Sequence, residues 1–267
     1  NGEGSDDEVK TDYIEVIVGG DGTTDCDTSR NYTPDEYDNL AFYTVGDEDG
    51  FYPAQLRLDG GDLIVEGFLI ELDVKKYSIY LMDYGAPIGF RIAAKYPERV
   101  ESLIIQNGNA YDEGLRDFWI PIKKYWNNYT VENGKPLEGF HAIDGLKWQY
   151  THGVQDVSKI SPDNWNLDLQ HLKRAENDKI QLAMFYDYRT NVPLYPKWQK
   201  YFRDHQPATL IVWGKNDYIF PAEGAHPYKR DLKNVETHLL DTGHFALEEK
   251  GDEIANYILK FLKKNNI

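Results

Sequence analysis

The sequence predicts an α/β fold with a mostly parallel, doubly wound sheet. Two runs of β-branched and aromatic residues, Tyr77–Met82 and Val100–Gln106, flank a helical stretch, and this strand–helix–strand order is typical of parallel strands. The same rhythm returns later in the strands Thr209–Trp213 and Val235–Leu240. Residues 107–206 lie between the two halves and carry many aromatic side chains in helical patterns, which indicates a helical insertion above the sheet.

Helices are predicted around these strands from the spacing of apolar residues. Leu63–Leu72 has a broad apolar face, and a second helix opens at Ala86-Pro87, since proline is favoured in a first helical turn. Ala222–Leu232 is predicted as a helix between the last two strands, and Glu248–Lys264 as an amphipathic closing helix. Within the insertion the helical stretches are 118–126, 141–150, 180–189 and 195–202.

Residues 1–62 differ from the rest of the chain. They are acidic and rich in Gly, Asp and Thr, with short strands predicted at 13–18 and 40–45. The acidic turn at 46–50 lacks the ligand spacing of a calcium loop, so solvation is its commoner explanation. We therefore predict an atypical N-terminal segment 1–62, a core formed by 63–106 and 207–267, and a cap formed by 107–206.

Charge and cysteine content limit the function classes. A net charge of −16 over 267 residues argues against nucleic acid and anionic membranes as partners. Cys26 is the single cysteine, which excludes a disulfide framework and a cysteine-based zinc site. No apolar run approaches the ~18 residues of a membrane span, and no signal peptide is visible. We expect a cytoplasmic protein without cofactor or metal; its oligomeric state stays open.

Three polar residues each follow the end of a predicted parallel strand. Asp83 follows the first strand on a tight turn with Gly85 and Ala86, while Asp217 and His244 follow the last two strands. Ligands of open α/β sheets bind outside these carboxyl ends. Taken alone, an aspartate here is more often a helix cap, and a histidine more often a structural hydrogen-bonding residue. Together, the order nucleophile, acid and base favours a catalytic triad.

The motifs around these residues resemble the α/β-hydrolase superfamily, in its epoxide hydrolase and haloalkane dehalogenase branch. The nucleophile turn of that branch reads approximately H-D-W-G-[GA]-P-[IV]-G, and this chain has M-D-Y-G-A-P-I-G at 82–89. W-G-K-N-D at 213–217 resembles the acid turn, and T-G-H-F at 242–245 the base turn. The insertion 107–206 is similar to the family's cap domain. The resemblance implies an α/β-hydrolase fold with atypical or incomplete N-terminal strands.

This resemblance also implies a mechanism. Asp83 attacks an electrophilic carbon and forms an alkyl ester, and His244, supported by Asp217, activates the water that hydrolyses the ester. The backbone N–H of Tyr84 is expected to serve as an oxyanion donor. Tyr150 and Tyr188 in the cap are expected to contact a small apolar substrate, although packing is the commoner role of a cap tyrosine.

Several functions remain open from the sequence. Epoxide opening is favoured over dehalogenation, because Tyr84 stands where the resemblance implies a halide-binding tryptophan. A carboxylic-ester hydrolase is a further alternative. The His-Gly-x-Pro turn expected N-terminal to Leu63 is missing, and with it the second oxyanion donor. An inactive, ligand-binding relative is therefore the alternative from another class.

Overall fold

The computed structural model describes residues 58–175 and 177–267. Most of the predicted segment 1–62, including the strands at 13–18 and 40–45, the acidic turn at 46–50 and Cys26, lies outside the described residues. No helix in the described part of the chain is long and apolar enough to cross a membrane.

The described strands form one parallel sheet in the order β1-β2-β3-β4. Their bounds are β1 Tyr77–Met82, β2 Val100–Gln106, β3 Ala208–Gly214 and β4 Val235–Leu240. The strand predictions are confirmed, with β3 one residue longer at each end. A register shift follows Tyr77, after which Ser78 pairs with Ser102 and their hydroxyls share a hydrogen bond of 2.7 Å. Because the four strands are parallel, their carboxyl ends all lie at the same end of the sheet.

Helices precede, connect and follow the strands. Their bounds are α1 Leu58–Glu71, α2 Gly85–Lys95, α3 Trp119–Asn127, α4 Val131–Gly134, α5 Ile143–Thr151, α6 Pro162–Leu172, α7 Asn177–Asp187, α8 Tyr195–His205, α9 Tyr228–Asp231 and α10 Ala246–Asn265. Helix α2 crosses from β1 to β2, and α3 to α8 fill the connection between β2 and β3. This helical connection matches the predicted insertion, while the division of the chain into core and cap domains stays a prediction.

Alternation along the strands divides the apolar core between the two faces of the sheet. Leu103 and Ile105 of β2 pack with α2 and α8 on one face, whereas Ile104 packs with Ile254 and Phe261 of α10 on the other. Contact between α2 and β1 depends on Gly89, because a Cβ there would lie 2.0 Å from Leu81 Cδ2. This close approach fixes the start of α2 against the end of β1.

The helices differ from the prediction between the last two strands and within the insertion. The predicted helix 222–232 is broken into a 3₁₀ turn, Ala222–Gly224, and the short helix α9. Pro227 explains the break, since proline disfavours helical geometry in the residue before it and donates no hydrogen bond. Helix α6 was not predicted because it is mostly polar, although Ser161 caps it and Pro162 opens it.

Replacing Phe90 by Ala is expected to lower the free energy of unfolding by about 3–5 kcal/mol. Phe90 is fully buried, with ring centroids of Trp198 and Phe202 each 5.4 Å away. Urea unfolding followed by circular dichroism measures the change. Phe68→Ala is the matched control, because Phe68 is 61% exposed and should change stability by roughly 0.5 kcal/mol or less. Equal losses in both variants would contradict this account of the core.

Candidate active site

Asp83 occupies the tight turn between β1 and α2. Its backbone is left-handed, with φ of 43°, a conformation that costs about 1–3 kcal/mol in a non-glycine residue. Tyr84 is the N-cap residue of α2 and no side chain caps that helix, so Asp83 is not a helix cap. A Cβ on Gly85 would meet nothing within 4 Å among the described residues. The crowded position is Gly108, where a Cβ would lie 2.8 Å from Ala86 Cβ.

The structure brings Asp83, His244 and Asp217 together. His244 Nε2 lies 3.0 Å from Asp83 Oδ2, and His244 Nδ1 lies 2.8 Å from Asp217 Oδ2. His244 and Asp217 are buried, whereas the Asp83 side chain is 31% exposed. The imidazole therefore bridges a partly accessible carboxylate and an inaccessible one. This arrangement can position a nucleophile, a base and the acid that orients the base.

Asp217 is held by further hydrogen bonds. Its Oδ1 accepts from the backbone N–H of Ile219 at 2.7 Å, and its Oδ2 accepts from Asn107 Nδ2 at 2.7 Å. Asn107 Oδ1 in turn accepts from the Gly214 N–H at 2.9 Å. A carboxylate buried this deeply needs such partners, because an unpaired buried charge is costly. The acid consequently has one fixed orientation toward His244.

Sequence reasoning missed Asn107 and Gln106 as parts of this site. Both are fully buried at the end of β2, and Asn107 has a φ of 46°. Gln106 Nε2 donates to the backbone carbonyl of His244 at 3.2 Å, and its Oε1 accepts from Tyr80. The signal was available, since Asn107 follows its strand as Asp83 follows β1. These two side chains tie the acid and base turns to the middle of the sheet.

The two carboxylates control the charge of His244. Burial alone disfavours the imidazolium, but Asp217 and Asp83 outweigh that effect and raise the pKa of His244 to about 10. Because this lies above the ordinary value of 6.5, the interaction stabilises the fold fully below about pH 6.5 and loses its effect as the pH rises to about 10. The two carboxylates therefore favour the protonated form of the imidazole.

A cavity of about 120 Å³ lies beside Asp83. Asp83, Tyr84 and Ile219 contribute to it from the sheet side. Apolar side chains make up much of the remaining lining: Phe118, Trp119, Phe140, Leu146, Leu172 and Phe185. Three polar side chains of the insertion, His141, Gln149 and Gln181, also line the cavity. Within the described ranges, no group of three or more His, Cys, Asp or Glu residues is arranged to hold a metal ion.

The predicted tyrosines have different environments. The Tyr84 N–H has no acceptor among the described residues, and burial, helped by the charge of Asp83, raises the pKa of its phenol. Tyr188 is fully buried, with its ring centroid 5.9 Å from that of Tyr84. Its hydroxyl lies beside that of Tyr195, and burial, together with the interaction with Tyr195 and the charge of Asp83, raises its pKa. Both phenols therefore stay protonated at neutral pH.

Neither Tyr150 nor Tyr188 lines the cavity. The Tyr150 hydroxyl donates to Asp168 Oδ2 at 2.7 Å, and the Tyr150 ring stacks on Phe245 at 4.2 Å between centroids. The ring centroids of Phe245 and His244 lie 4.9 Å apart, so Tyr150 packs against the base turn through Phe245. The expected contact of each tyrosine with substrate stays a prediction. Of the two, Tyr188 is the one that packs against Tyr84.

A loop of the insertion packs against the turn that carries Asp217 and against the helix that follows His244. Asn216, beside the acid, donates from Nδ2 to the Gly153 carbonyl at 2.8 Å. The backbone N–H groups of Gln155 and Asp156 donate to the Glu249 carboxylate at 3.2 and 3.0 Å. Gly153 has a φ of 78°, and a Cβ there would lie 2.6 Å from the Asn216 carbonyl oxygen. The loop 152–156 thus holds the insertion against the turn that carries Asp217 and against α10, the helix that follows His244.

Comparison with known families agrees with this geometry. A sequence profile described as the alpha/beta hydrolase fold matches residues 71–251. The chain belongs to the α/β-hydrolase fold family. The match covers both halves of the sheet and the helical insertion, so the fold predicted from the sequence is confirmed. Asp83, Asp217 and His244 all lie within the matched residues.

Individual relatives carry different names. The chain is 40% identical to an uncharacterized hydrolase of Saccharomyces cerevisiae over 207 residues, 74% of this chain and 70% of that protein. It is 25% identical to a cis-3-alkyl-4-alkyloxetan-2-one decarboxylase of Shewanella oneidensis, covering 81% of this chain and 68% of that protein. A haloalkane dehalogenase variant from Agrobacterium tumefaciens has a similar fold, with a TM-score of 0.62, 16% identity and coverage of 78% and 74%. This α/β-hydrolase chain is accordingly similar to enzymes of several specificities.

Replacing Asp217 by Asn is expected to lower the pKa of His244, because one of the two charges that stabilise the imidazolium is lost while its burial remains. Titration of the imidazole C–H resonances by NMR measures the shift. Asp241→Asn is the matched control, since it removes an exposed carboxylate that contacts Asn216 and Lys215. A pKa that falls equally in both variants would contradict the specific role assigned to Asp217.

Proposed function

We propose that this protein is a hydrolase that uses Asp83 as a nucleophile to open epoxides through a covalent alkyl-ester intermediate. The observation that carries the proposal is the partly exposed Asp83 carboxylate, 3.0 Å from His244 on a left-handed turn that adjoins the cavity. A carboxylate at this position can displace an oxygen at a saturated carbon and later be released by water.

In the proposed first step, an Asp83 oxygen bonds to an epoxide carbon as the ring carbon–oxygen bond breaks. The ring oxygen keeps the bonding electrons and needs a proton. Tyr188 is the proposed donor, because it lies close enough to Asp83 for that charge to raise its pKa, and the raised pKa keeps its hydroxyl protonated. An alkoxide is a stronger base than a phenolate, so the transfer is favourable even from a weakly acidic tyrosine.

Esterification prepares the second step. Asp83 loses its negative charge in the ester, so one of the two groups that raise the pKa of His244 disappears. The ring then releases its proton to solvent, which also reprotonates the Tyr188 phenolate. The neutral imidazole takes a proton from water, and the resulting hydroxide attacks the Asp83 carbonyl carbon. The ester bond breaks, the diol oxygen takes the proton from the imidazolium, and the diol leaves as the Asp83 carboxyl ionises. The Tyr84 N–H is the proposed donor to the oxyanion, and Asp217 is proposed to stabilise the imidazolium that forms.

The relatives support a strained oxygen ring as the electrophile. The Shewanella relative is named for an oxetan-2-one, a four-membered cyclic ester. Dehalogenation is the second candidate because a haloalkane dehalogenase shares the fold. A halide needs a free donor, yet Trp119, the tryptophan that lines the cavity, donates its indole N–H to the Ile219 carbonyl at 2.7 Å. This favours epoxide opening over dehalogenation.

A carboxylic-ester hydrolase and an inactive ligand-binding protein are two further alternatives. A carboxylic-ester hydrolase of the serine type would need a hydroxyl nucleophile, and the turn carries Asp83 instead. An inactive, ligand-binding protein would explain the missing His-Gly-x-Pro turn, because losing one oxyanion donor costs roughly 10²–10³ in rate. The pairing of His244 with two carboxylates favours catalysis, since a binding pocket needs no such relay.

A single turnover in ¹⁸O-water with excess enzyme is expected to place ¹⁸O in the Asp83 carboxylate rather than in the diol. Water attacks the Asp83 carbonyl, so the diol carries away an oxygen that Asp83 already held. Mass spectrometry of the Asp83 peptide and of the diol measures the label. Asp83→Asn is the control and should give neither turnover nor label. Label in the first diol would contradict a covalent intermediate, and no reaction with any epoxide, halide or ester would favour the inactive alternative.

Replacing Tyr188 by Phe is expected to slow epoxide opening by about 10²-fold or more, because the departing oxygen loses its proton donor. Tyr150→Phe is the matched comparison and should have the smaller effect, since its hydroxyl bonds Asp168. Rapid-quench measurement of ester formation on Asp83 separates this step from hydrolysis. A larger loss in Tyr150→Phe would reverse the assignment of the two tyrosines.

A further inference from the structure

The cavity beside Asp83 has polar groups that the proposed chemistry does not use. His141, Gln149 and Gln181 line it together with its apolar side chains. They come from three separate elements of the insertion: His141 ends a 3₁₀ segment, Gln149 lies on α5 and Gln181 on α7. Three uncharged polar side chains converging on one small cavity indicate a binding subsite rather than a surface.

Hydrogen bonds fix the two amides. Gln149 Nε2 donates to the Phe140 carbonyl at 2.8 Å, and Gln181 Nε2 approaches Asn177 Oδ1 at 3.4 Å. Their Oε1 atoms accept no hydrogen bond among the described residues, so each amide has an acceptor oxygen to offer a ligand. The glutamine side chains therefore suit a ligand group that donates a proton.

His141 contributes a neutral ring. It stacks on Phe185 with 29° between the planes and 5.4 Å between the centroids. Its Nδ1 is buried and has no partner in the described structure. Burial lowers the pKa of His141 to about 4, despite the opposing charge of Asp178, so the ring is uncharged at neutral pH. A neutral imidazole has one N–H donor and one acceptor nitrogen.

We infer that His141, Gln149 and Gln181 form a subsite for a hydroxyl group carried by the substrate away from its reacting carbon. A hydroxyl donates to a glutamine oxygen and accepts from the imidazole N–H, which an ether or a methyl group cannot do together. No Lys or Arg lines the cavity, so a carboxylate or phosphate has no cationic partner there. This inference rests on the proposed function, because it assigns the substrate class as hydroxylated epoxides.

Binding of unreactive diols tests the subsite independently of turnover. The probes are hexane-1,2,6-triol, hexane-1,2-diol and 6-methoxyhexane-1,2-diol, with the pentane and heptane homologues to vary the reach, each titrated calorimetrically into the Asp83→Asn protein. At the best chain length, the ω-hydroxy ligand is expected to bind about tenfold more tightly than both analogues, as two neutral hydrogen bonds permit. The methyl ether tests the donor requirement of the glutamine oxygens.

Variants locate the selectivity. His141→Phe keeps a ring beside Phe185 but removes both nitrogens, and it should abolish the preference for the hydroxyl. Gln181→Met provides a second variant if His141→Phe does not fold. His205→Phe is the matched control, because His205 is exposed on α8 outside the cavity, and it should keep the preference. Equal binding of the three ligands, no measurable binding of any ω-hydroxy ligand, or a preference that survives both cavity variants would overturn the inference.

Turnover of the matching epoxides separates this inference from the proposed function. Hydrolysis of 1,2-epoxyhexane and 6-hydroxy-1,2-epoxyhexane at equal rates, with no binding preference, would remove the subsite and leave the epoxide hydrolase proposal standing. Selective binding of the triol without turnover of either epoxide would support the subsite and contradict the epoxide hydrolase proposal. Selective binding together with a higher kcat/KM for the hydroxylated epoxide supports both.

Discussion

The active-site structure depends on one interaction, the imidazole of His244 held at both nitrogens by carboxylates. Each of the three residues follows a different strand, so the distances exist only while β1, β3 and β4 keep their register. Asn107 and Gln106, from the intervening strand, fasten the acid turn and the base turn to that register. A buried imidazolium requires close anionic partners, because its desolvation is otherwise unfavourable. The parallel sheet supplies them at one edge.

Much of this arrangement could be predicted from local sequence. The strands are short runs of β-branched and aromatic residues. This pattern is visible in the local sequence, without knowledge of tertiary contacts. Asp83, Asp217 and His244 could be selected because parallel strands share one carboxyl edge. The left-handed backbone at Asp83 also agrees with an abrupt change from strand to helix. Here local pattern and topology give the same answer.

The remaining features depend on contacts between distant residues. The hydrogen bond from Asn107 to Asp217 joins positions far apart in the chain, and an isolated asparagine after a strand has many uses. Tyr150 and Tyr188 lie in similar aromatic stretches, so their patterns cannot tell which hydroxyl bonds Asp168 and which lies beside Tyr195 near Asp83. The polar helix α6 shows a related limit, because its start signals were stronger than its apolar periodicity.

The loop 152–156 has a consequence for how specificity can evolve in this protein. Its hydrogen bonds to Asn216 and Glu249 support the turn that carries Asp217 and the first turn of α10, which follows His244. Mutations in this loop must therefore preserve its backbone geometry, and Gly153 tolerates little change. Gln149 on α5 and Gln181 on α7 are freer to change, since they shape the cavity from the insertion. Selection could thus exchange one substrate for another while leaving the hydrolytic chemistry intact.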